Sequence, residues 1–178
     1  MRPCLTVLLP IYNERATAAT LLERVRAVPV EKQIILVDDA STDGTREYLK
    51  SEVEGKLPDV EVFYHDKNRG KGAAIRTAIP HAKGLVSIVQ DGDLEYDPQD
   101  YLVILEAFKE EGVQVVYGSR FMKGYPKMRL PNKMVNILLA WMVRLFFGSP
   151  MTDEATCYKA FRTELLQSIP LTCQRFEF

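Results

Sequence analysis

The fold is decided by the stretch Leu85-Val86-Ser87-Ile88-Val89-Gln90-Asp91-Gly92-Asp93-Leu94-Glu95, in which an apolar run leads directly into two aspartates one residue apart. The run 85–89 is short and rich in β-branched residues, which indicates a buried strand. Because a buried strand does not tolerate a lone carboxylate, we expect Asp91 and Asp93 where the strand ends and a ligand or water begins. In an open α/β sheet, ligands bind outside the carboxyl ends of the strands.

The spacing of Asp91 and Asp93 suits a divalent cation. Two carboxylates separated by one small residue can share a hard ion such as Mg²⁺, which usually binds one or two carboxylates together with substrate phosphates. The pair therefore predicts a site for a metal and a diphosphate. The alternative is a plain acidic turn ahead of the helix that follows Asp97-Pro98, since acidic residues are common in turns.

Length and composition describe one ordinary domain. The chain has 178 residues, of which 47% are hydrophobic, and its net charge of -1 indicates no nucleic-acid partner. Three cysteines lie far apart, which favours reduced thiols in a cytoplasmic protein over a disulfide framework or a zinc site. The first apolar stretch is too short for a signal peptide, and no stretch reaches the ~18 apolar residues of a membrane span.

Apolar runs alternate with segments of helical spacing along the first two thirds of the chain. The runs predict strands at residues 4–9, 33–37, 60–64, 85–89 and 113–117. The segments between them predict helices at 16–28, 45–54, 73–82 and 98–111. This alternation predicts a parallel sheet with right-handed crossovers and helices on both faces. We expect Pro10 to end the first strand, because proline cannot donate a ladder hydrogen bond.

The pattern changes after Gly118. Residues 119–130 form a basic loop, residues 131–147 predict a strongly apolar helix, and short apolar segments follow Thr152-Asp153. No acidic residue occurs from 112 to 152, so this end of the domain should be locally basic. The strand-like ending at residues 176–178 has no turn or cap, so we expect residues 1–178 to be a single catalytic domain truncated at its C-terminus.

Polar residues follow each of the five predicted strands. Because the carboxyl ends of parallel strands share one edge of a sheet, these groups are expected to line a nucleotide-binding crevice. They are Pro10 to Glu14, Asp38-Asp39, Asn68 to Gly72, Asp91 to Glu95 and Gly118-Ser119-Arg120.

These motifs resemble those of the family 2 inverting glycosyltransferases with the GT-A fold. The segment Asp91 to Pro98, with Gly118-Ser119-Arg120 and Thr152-Asp153, is most similar to the dolichol-phosphate mannosyltransferase branch, which uses polyprenyl-phosphate acceptors. The resemblance covers essentially the whole chain and implies a Rossmann-like α/β/α sandwich with a mostly parallel sheet. The chain departs from it at Ala40, where many members have glycine, and in lacking a C-terminal part.

The resemblance also implies roles on the donor side. A nucleotide sugar of the GDP-mannose or UDP-glucose type would be held by a set of residues comprising Pro10, Tyr12, Glu14, Val37, Asp39, Lys71, Gln90, Asp91, Gly92 and Asp93. Asp91, Asp93 and Glu95 would bind Mg²⁺ or Mn²⁺, which neutralises the departing nucleoside diphosphate in a single inverting displacement. Alternative interpretations remain open at three positions: Tyr12 packs the loop, Asp38 caps the next helix, or Lys71 is merely solvated.

On the acceptor side, Arg120 and Arg129 are predicted to clamp a phosphate, a task that suits the guanidinium fork. Asp153 is the candidate for a further catalytic carboxylate beside Asp93, either as a base or as an orienting group, and the alternative is that it caps the start of a short turn. The apolar helix at 131–147 either lies in a membrane interface or packs against the protein. Together these features imply a polyprenyl-phosphate acceptor reached at the cytosolic face of a membrane.

Other functions fit parts of the same pattern. The acceptor could instead be a saccharide or another hydroxyl compound, which would leave the basic stretch without a role. A receiver-like signalling domain also places acids at strand ends, but the glycine-lysine turn fits it poorly. A noncatalytic nucleotide-binding domain is a third alternative. His65 and His81 are isolated in the sequence and receive no catalytic role.

Overall fold

The computed structural model describes residues 4–122 and 130–172, except for the side chains of Leu130 and Asn132. The strands are β1 (Leu5–Ile11), β2 (Lys32–Asp38), β3 (Val60–Tyr64), β4 (Val86–Val89), β5 (Val115–Tyr117) and β6 (Lys159–Arg162). The helices are α1 (Ala18–Ala27), α2 (Thr45–Tyr48), α3 (Lys71–Ala78), α4 (Asp100–Ala107), α5 (Leu130–Phe147) and α6 (Thr163–Ser168). A π-helical segment, Leu49–Val53, extends α2, and a 3-10 turn, Ile79–His81, extends α3.

The sheet is mixed but mostly parallel, as the sequence predicts. Its order is β3-β2-β1-β4-β6-β5, and the pairings of β3 with β2, β2 with β1 and β1 with β4 are all parallel. The central strands β1 and β2 are apolar and almost wholly buried, as expected for strands covered on both faces. Strand β3 lies at the edge, which confirms the prediction from its alternating pattern.

The sheet is antiparallel only at the edge opposite β3. Strand β6 enters between β4 and β5 and runs antiparallel to both, with Ser87 opposite Phe161 and Val116 opposite Ala160. Strand β5 therefore points the same way as β4 without pairing with it. Local alternation reveals which strands exist but not which become neighbours, and the sequence shows β6 only as a short apolar run after the apolar helix.

Strand β1 continues through Pro10 to Ile11, so the expectation that Pro10 ends it is wrong. Pro10 lies opposite Val37 of β2, whereas pairing with β4 stops at Leu8 and Val89. The amide of Gln90 donates to the carbonyl of Leu8, which shows that the backbone N–H and C=O groups of even-numbered residues in β1 point toward β4. The missing N–H of Pro10 therefore falls just beyond the end of β4, where no ladder bond is lost.

A buried polar network joins the amino-terminal edge of the sheet. The hydroxyl of Thr6 donates to Gln33 Oε1 at 2.9 Å and accepts from the amide of Gly84 at 2.8 Å. The side-chain nitrogen Nε2 of Gln33 donates to the carboxylate of Glu61 and to the carbonyl of His81. These bonds tie β1, β2 and the turn before β4 together, and so fix how far each strand reaches toward its carboxyl end.

Replacing Thr6 with valine keeps the side-chain shape but removes the hydroxyl. We expect Thr6→Val to lower the free energy of unfolding by about 2 kcal/mol, because the buried amide of Gly84 loses its acceptor. Thr20→Val, at an exposed position of α1, is the matched control and should change stability by less than about 0.5 kcal/mol. Urea denaturation measures both, and equal effects would contradict a structural role for the network.

Candidate active site

The loop after β1 is held by the loop after β2. The amide of Asn13 donates to Ser41 Oγ at 2.9 Å, and the amide of Glu14 donates to Thr45 Oγ1 at 3.0 Å. Ala40 adopts a left-handed backbone with φ of 65°. Glycine takes this conformation without strain, which gives a physical reason why glycine suits the position. The two loops therefore form one fixed wall at the carboxyl edge of the sheet.

The turn Asp91-Gly92-Asp93 follows β4 and packs against the same wall. A Cβ on Gly92 would lie 2.9 Å from Glu14 Cγ, so this approach requires glycine. The hydroxyl of Thr17 lies 3.0 Å from the carbonyl oxygen of Gly92 and 2.7 Å from Glu14 Oε2. The acidic turn is therefore anchored at its centre, while both aspartates remain partly exposed.

Lys71, the first residue of α3, forms an ion pair with Asp91. About a quarter of each side chain remains exposed, so the pair borders the crevice rather than the core. Burial alone would lower the pKa of Lys71, but the contacts of its ammonium group, the ion pair with Asp91 among them, outweigh burial and the pKa is raised. Lys71 is thus a cation at neutral pH, next to the predicted metal-binding turn, and not a solvated surface lysine.

Asp91 and Asp93 fit a divalent ion that completes its coordination with ligand oxygens. Both carboxylates are partly exposed on one short turn, and Mg²⁺ usually binds one or two carboxylates plus substrate phosphates and water. The predicted third ligand, Glu95, is exposed and does not join them. Among residues 4–122 and 130–172, no three acidic, histidine or cysteine side chains gather into a metal-holding group.

Gln90 and Val37, both predicted to hold the donor, do not expose their side chains to the crevice, and their contact with a donor stays a prediction. Both are fully buried. Gln90 Oε1 accepts hydrogen bonds from Tyr101 and Tyr158 at 2.6 and 2.9 Å, and its amide nitrogen donates to the carbonyl of Asp91 at 3.1 Å. Gln90 therefore supports the acidic turn from beneath, and the tyrosines that hold it were not foreseen from the sequence.

Cys157 is a further residue that the sequence interpretation missed. It is buried behind the turn, and its thiol lies 3.6 Å from the carbonyl oxygen of Val89. Burial raises the pKa of the Cys157 thiol well above its usual value. The thiol is therefore protonated at neutral pH and acts as a neutral packing group beside Asp91 and Lys71.

Of the predicted nucleoside residues, Tyr12, Glu14 and Pro10 border the crevice. Tyr12 is 47% exposed, so the alternative that it merely packs the loop does not describe its position. Glu14 and Pro10 are partly buried beside it. A half-exposed aromatic ring next to a carboxylate offers a face for stacking and an acceptor for hydroxyl or N–H groups.

Asp38 and Asp39 are both buried and serve the loops. Asp38 accepts from the amide of Ser41 at 3.2 Å and from Arg46 Nε at 2.7 Å, which places it in the turn before α2. Asp39 accepts from the amides of Arg69 and Gly70 and from the ring of His65. Asp39 thus makes three contacts with the protein, and its predicted contact with the nucleoside stays a prediction. His65 is the unforeseen member of this group.

The motifs at Gly118 to Arg120 and Thr152-Asp153 meet, as their shared assignment to the acceptor side requires. Arg120 Nε and Nη2 donate to the two oxygens of Asp153 at 2.8 and 2.9 Å, and the Arg120 amide adds a third bond at 3.0 Å. This contact raises the pKa of Arg120. Asp153 is fully buried, so its use as an accessible base is not supported: it orients Arg120. Arg129 lies outside the described residues.

Helix α5 exposes apolar side chains around most of its circumference. Met134, Trp141 and Phe147 are 70, 59 and 80% exposed, and Leu145 and Phe146 are similarly open. Single exposed apolar residues are ordinary, but a contiguous set indicates an interaction surface. No helix in the described ranges combines the length and hydropathy that a membrane crossing requires.

The fold and the site together define an α/β domain of the GT-A type, with an acidic turn and a paired lysine at the carboxyl edge of its sheet. The chain belongs to glycosyl transferase family 2, whose sequence profile matches residues 6–169. The GT-A expectation drawn from the motifs is thereby confirmed.

Known relatives support the same assignment. The dodecaprenyl-phosphate galacturonate synthase of Rhizobium johnstonii is 26% identical over 98% of this chain and 52% of its own length. The dolichol-phosphate mannosyltransferase of Pyrococcus furiosus is 28% identical over 93% and 48%. Mannosyltransferase PcManGT from Pyrobaculum calidifontis, solved with GDP-Man and Mn²⁺, matches with a TM-score of 0.62 and 26% identity over 94% and 46%. The chain spans about half the length of the curated relatives it matches.

The Arg120–Asp153 pair yields a stability prediction. Arg120→Met leaves a buried carboxylate without its guanidinium and should lower the free energy of unfolding by about 3 kcal/mol. Arg26→Met is the matched control, because Arg26 binds Asp59 at the surface, where such a pair contributes about 1 kcal/mol or less. Chemical denaturation compares the two, and similar losses would show that burial of Asp153 does not set the strength of the pair.

Proposed function

We propose that this chain is the donor-binding catalytic domain of a metal-dependent inverting glycosyltransferase. It transfers a sugar of the mannose or glucose class from a nucleotide-sugar donor to a polyprenyl phosphate. The observation that carries the proposal is the anchored Asp91-Gly92-Asp93 turn, with Lys71 ion-paired to Asp91 at the carboxyl edge of the sheet. Residues 1–178 form one such domain.

The names of the relatives favour both substrates. Dodecaprenyl-phosphate galacturonate synthase and dolichol-phosphate mannosyltransferase each name a polyprenyl phosphate. PcManGT was solved with GDP-Man and Mn²⁺, which favours a nucleotide sugar and a divalent metal for a related site. The corresponding expectation for this chain is Mg²⁺ or Mn²⁺ bound through Asp91 and Asp93.

On the donor side, Lys71 and Asp91 form an ion pair, and a donor diphosphate can replace Asp91 as the partner of the lysine. When bound, the metal supplies Lewis-acid neutralisation of the leaving diphosphate. Lys71 then turns from Asp91 to the diphosphate oxygens, which leaves both carboxylates for the metal. Tyr12 and Glu14 lie on the adjacent wall, where they hold the nucleoside. Gln90 keeps the backbone of Asp91 in place through its amide.

On the acceptor side, Arg120 is the cation that meets the lipid phosphate. Asp153 fixes its Nε and Nη2, so the outer edge of the guanidinium is presented in one orientation. A phosphate monoester is already ionised at neutral pH and needs no general base to become a nucleophile. This chemistry agrees with a buried Asp153 that orients rather than deprotonates. Arg129 is proposed as the second phosphate contact.

The donor site is tested by calorimetric titration of GDP-mannose, UDP-glucose and UDP-N-acetylglucosamine, each with Mn²⁺ or with EDTA. We expect one donor to bind only with metal, and Asp93→Asn to weaken that binding by at least about tenfold because a metal ligand is lost. Asp66→Asn removes an exposed carboxylate from the loop after β3 and is the matched control, with unchanged binding. Equal binding in Mn²⁺ and in EDTA would contradict metal dependence.

The acceptor is identified by transfer assays with the full-length protein. Radiolabelled sugar should move from the donor to undecaprenyl or dolichyl phosphate and not to the unphosphorylated alcohol. Transfer to a saccharide without any lipid product would instead assign the chain to another acceptor class of the same family. Arg120→Lys should reduce transfer to the lipid while leaving donor affinity unchanged, since Arg120 lies on the acceptor side.

Helix α5 is proposed to lie on the membrane surface that carries the acceptor, at its cytosolic face. The helix combines exposed apolar residues with Lys133 and Arg144 and contains no acidic residue. Basic residues near the surface favour anionic lipids, and buried apolar side chains supply the remaining affinity. This placement brings the basic acceptor side close to a lipid phosphate.

The emission of Trp141, the chain's one tryptophan, reports this contact directly. We expect vesicles containing anionic lipid to shift the emission to shorter wavelength, as the exposed ring enters an apolar layer. Phe147→Ser should weaken the vesicle affinity by about tenfold, the loss expected from one buried aromatic side chain. Val103→Ser, at an exposed apolar position of α4, is the control with unchanged affinity. An equal effect of both variants would contradict a specific role for α5.

A further inference from the structure

We propose that His65 is a positioning residue for donor binding, which acts through Asp39 and the loop 68–70 to fix the backbone from which Lys71 reaches the donor diphosphate. The inference rests on the proposed function, because it concerns the lysine assigned to the donor diphosphate. His65 directly follows β3 and is one of two histidines in the chain. Its ring is buried at the carboxyl edge of the sheet, and strands β2 and β1 separate its strand, β3, from the strand that precedes the acidic turn, β4.

The ring of His65 bridges two elements. Nδ1 lies 2.6 Å from Asp39 Oδ1, and Nε2 lies 2.9 Å from Thr77 Oγ1 in α3. Because a carboxylate only accepts, Nδ1 carries a hydrogen and donates it to Asp39. The hydroxyl of Thr77 is itself 3.0 Å from the carbonyl oxygen of Ala73, one turn earlier in the helix. The imidazole therefore connects the end of β2 to the body of α3.

Asp39 passes this constraint to the loop before Lys71. Its two oxygens accept from the amides of Arg69 at 2.9 Å and Gly70 at 2.7 Å. Gly70 has a φ of 88°, a left-handed conformation that glycine adopts at little cost. Two consecutive amides are thus fixed immediately before Lys71, and Thr77 is fixed two turns after it. The backbone of Lys71 is therefore held by contacts on both sides of it in the chain.

The backbone of His65 is equally constrained. Its amide donates to the carbonyl of Asp38 at 2.9 Å, and its carbonyl accepts from the guanidinium of Arg46. Arg46 also binds the buried carboxylate of Asp38. These contacts fix the backbone from which the ring projects, and the bonds to Asp39 and Thr77 hold the ring itself between the strands and the helix.

The contacts of His65 matter for donor binding because the side chain of Lys71 is flexible. A lysine side chain has many rotamers, and a binding site gains affinity when the bound geometry is organised in advance. Loss of the His65 ring contacts would free the loop and let Lys71 sample positions away from the diphosphate. The nucleoside wall formed by Tyr12 and Glu14 is held by other bonds, to Ser41 and Thr45, and would be unaffected.

A double-mutant cycle tests the inference. Affinities of UDP and GDP in the presence of Mn²⁺ are measured by calorimetry for the wild type, His65→Phe, Lys71→Met and the double variant. Phenylalanine keeps the ring and removes both nitrogen contacts. We expect His65→Phe to weaken binding of the preferred diphosphate about tenfold alone, but less than twofold in the Lys71→Met background, because coupled residues are not additive. Equal factors in both backgrounds, or wild-type affinity in His65→Phe, would overturn the proposal.

The second histidine provides the matched control. The ring of His81 is exposed and stacks on Phe63 at 4.3 Å, so His81→Phe should leave diphosphate affinity unchanged. If His65→Phe fails to fold, His65→Asn replaces it in the cycle. Asparagine keeps one N–H for Asp39 but cannot reach Thr77, and we expect an intermediate loss that vanishes with Lys71→Met. A loss that persists there overturns the role. If the folded wild type binds neither diphosphate, the proposed donor site is wrong. If it binds a diphosphate but the effects of the two substitutions are additive, only the role of His65 is wrong.

Discussion

The structure depends on how negative charge is compensated along the carboxyl edge of the sheet. Four of the carboxylates there contact a basic side chain from a neighbouring element: Asp38 with Arg46, Asp39 with His65, Asp91 with Lys71, and Asp153 with Arg120. In three of these pairs the carboxylate is almost completely buried. Removing one partner of a buried pair leaves an uncompensated charge, so these contacts hold the loops and do not exchange with ligands.

The pair of Asp91 and Lys71 differs because both side chains remain about one quarter exposed. Water reaches it, its strength is moderate, and a diphosphate can replace the carboxylate as the partner of the lysine. Burial thus separates supporting carboxylates from the one that faces ligands. This distinction depends on the alignment of the sheet: β1 pairs in parallel with β2 and β4, so their carboxyl ends reach the same edge and their loops touch.

The sequence predicted the strand-helix order, the parallel half of the sheet and the acidic turn, because each is encoded within a few neighbouring residues. It did not predict that β6 separates β4 from β5, since strand neighbours are chosen by packing across the whole chain. It also assigned His65 no role, although the ring contacts Asp39 26 residues away. The bond between Arg120 and Asp153 spans 33 residues and turns a candidate base into an orienting group. Local patterns locate polar residues at an edge, whereas only tertiary contacts reveal which of them are already occupied.

The distribution of charge gives the proposed reaction a physical logic. The donor diphosphate and the acceptor phosphate are both anions, and two unit charges about 5 Å apart repel by about 3 kcal/mol at an effective dielectric constant of about 20. A site that brings them together must therefore place cations between and beside them. Lys71 lies on the donor side and Arg120 on the acceptor side, while the stretch 112–152 contributes further basic residues and no acidic one. Of the aspartates at this edge, Asp91 and Asp93 lie on the turn that a metal would neutralise, and Asp38, Asp39 and Asp153 lie in buried pairs. The same separation leaves the acceptor side suited to an anionic membrane surface, where α5 exposes its apolar residues.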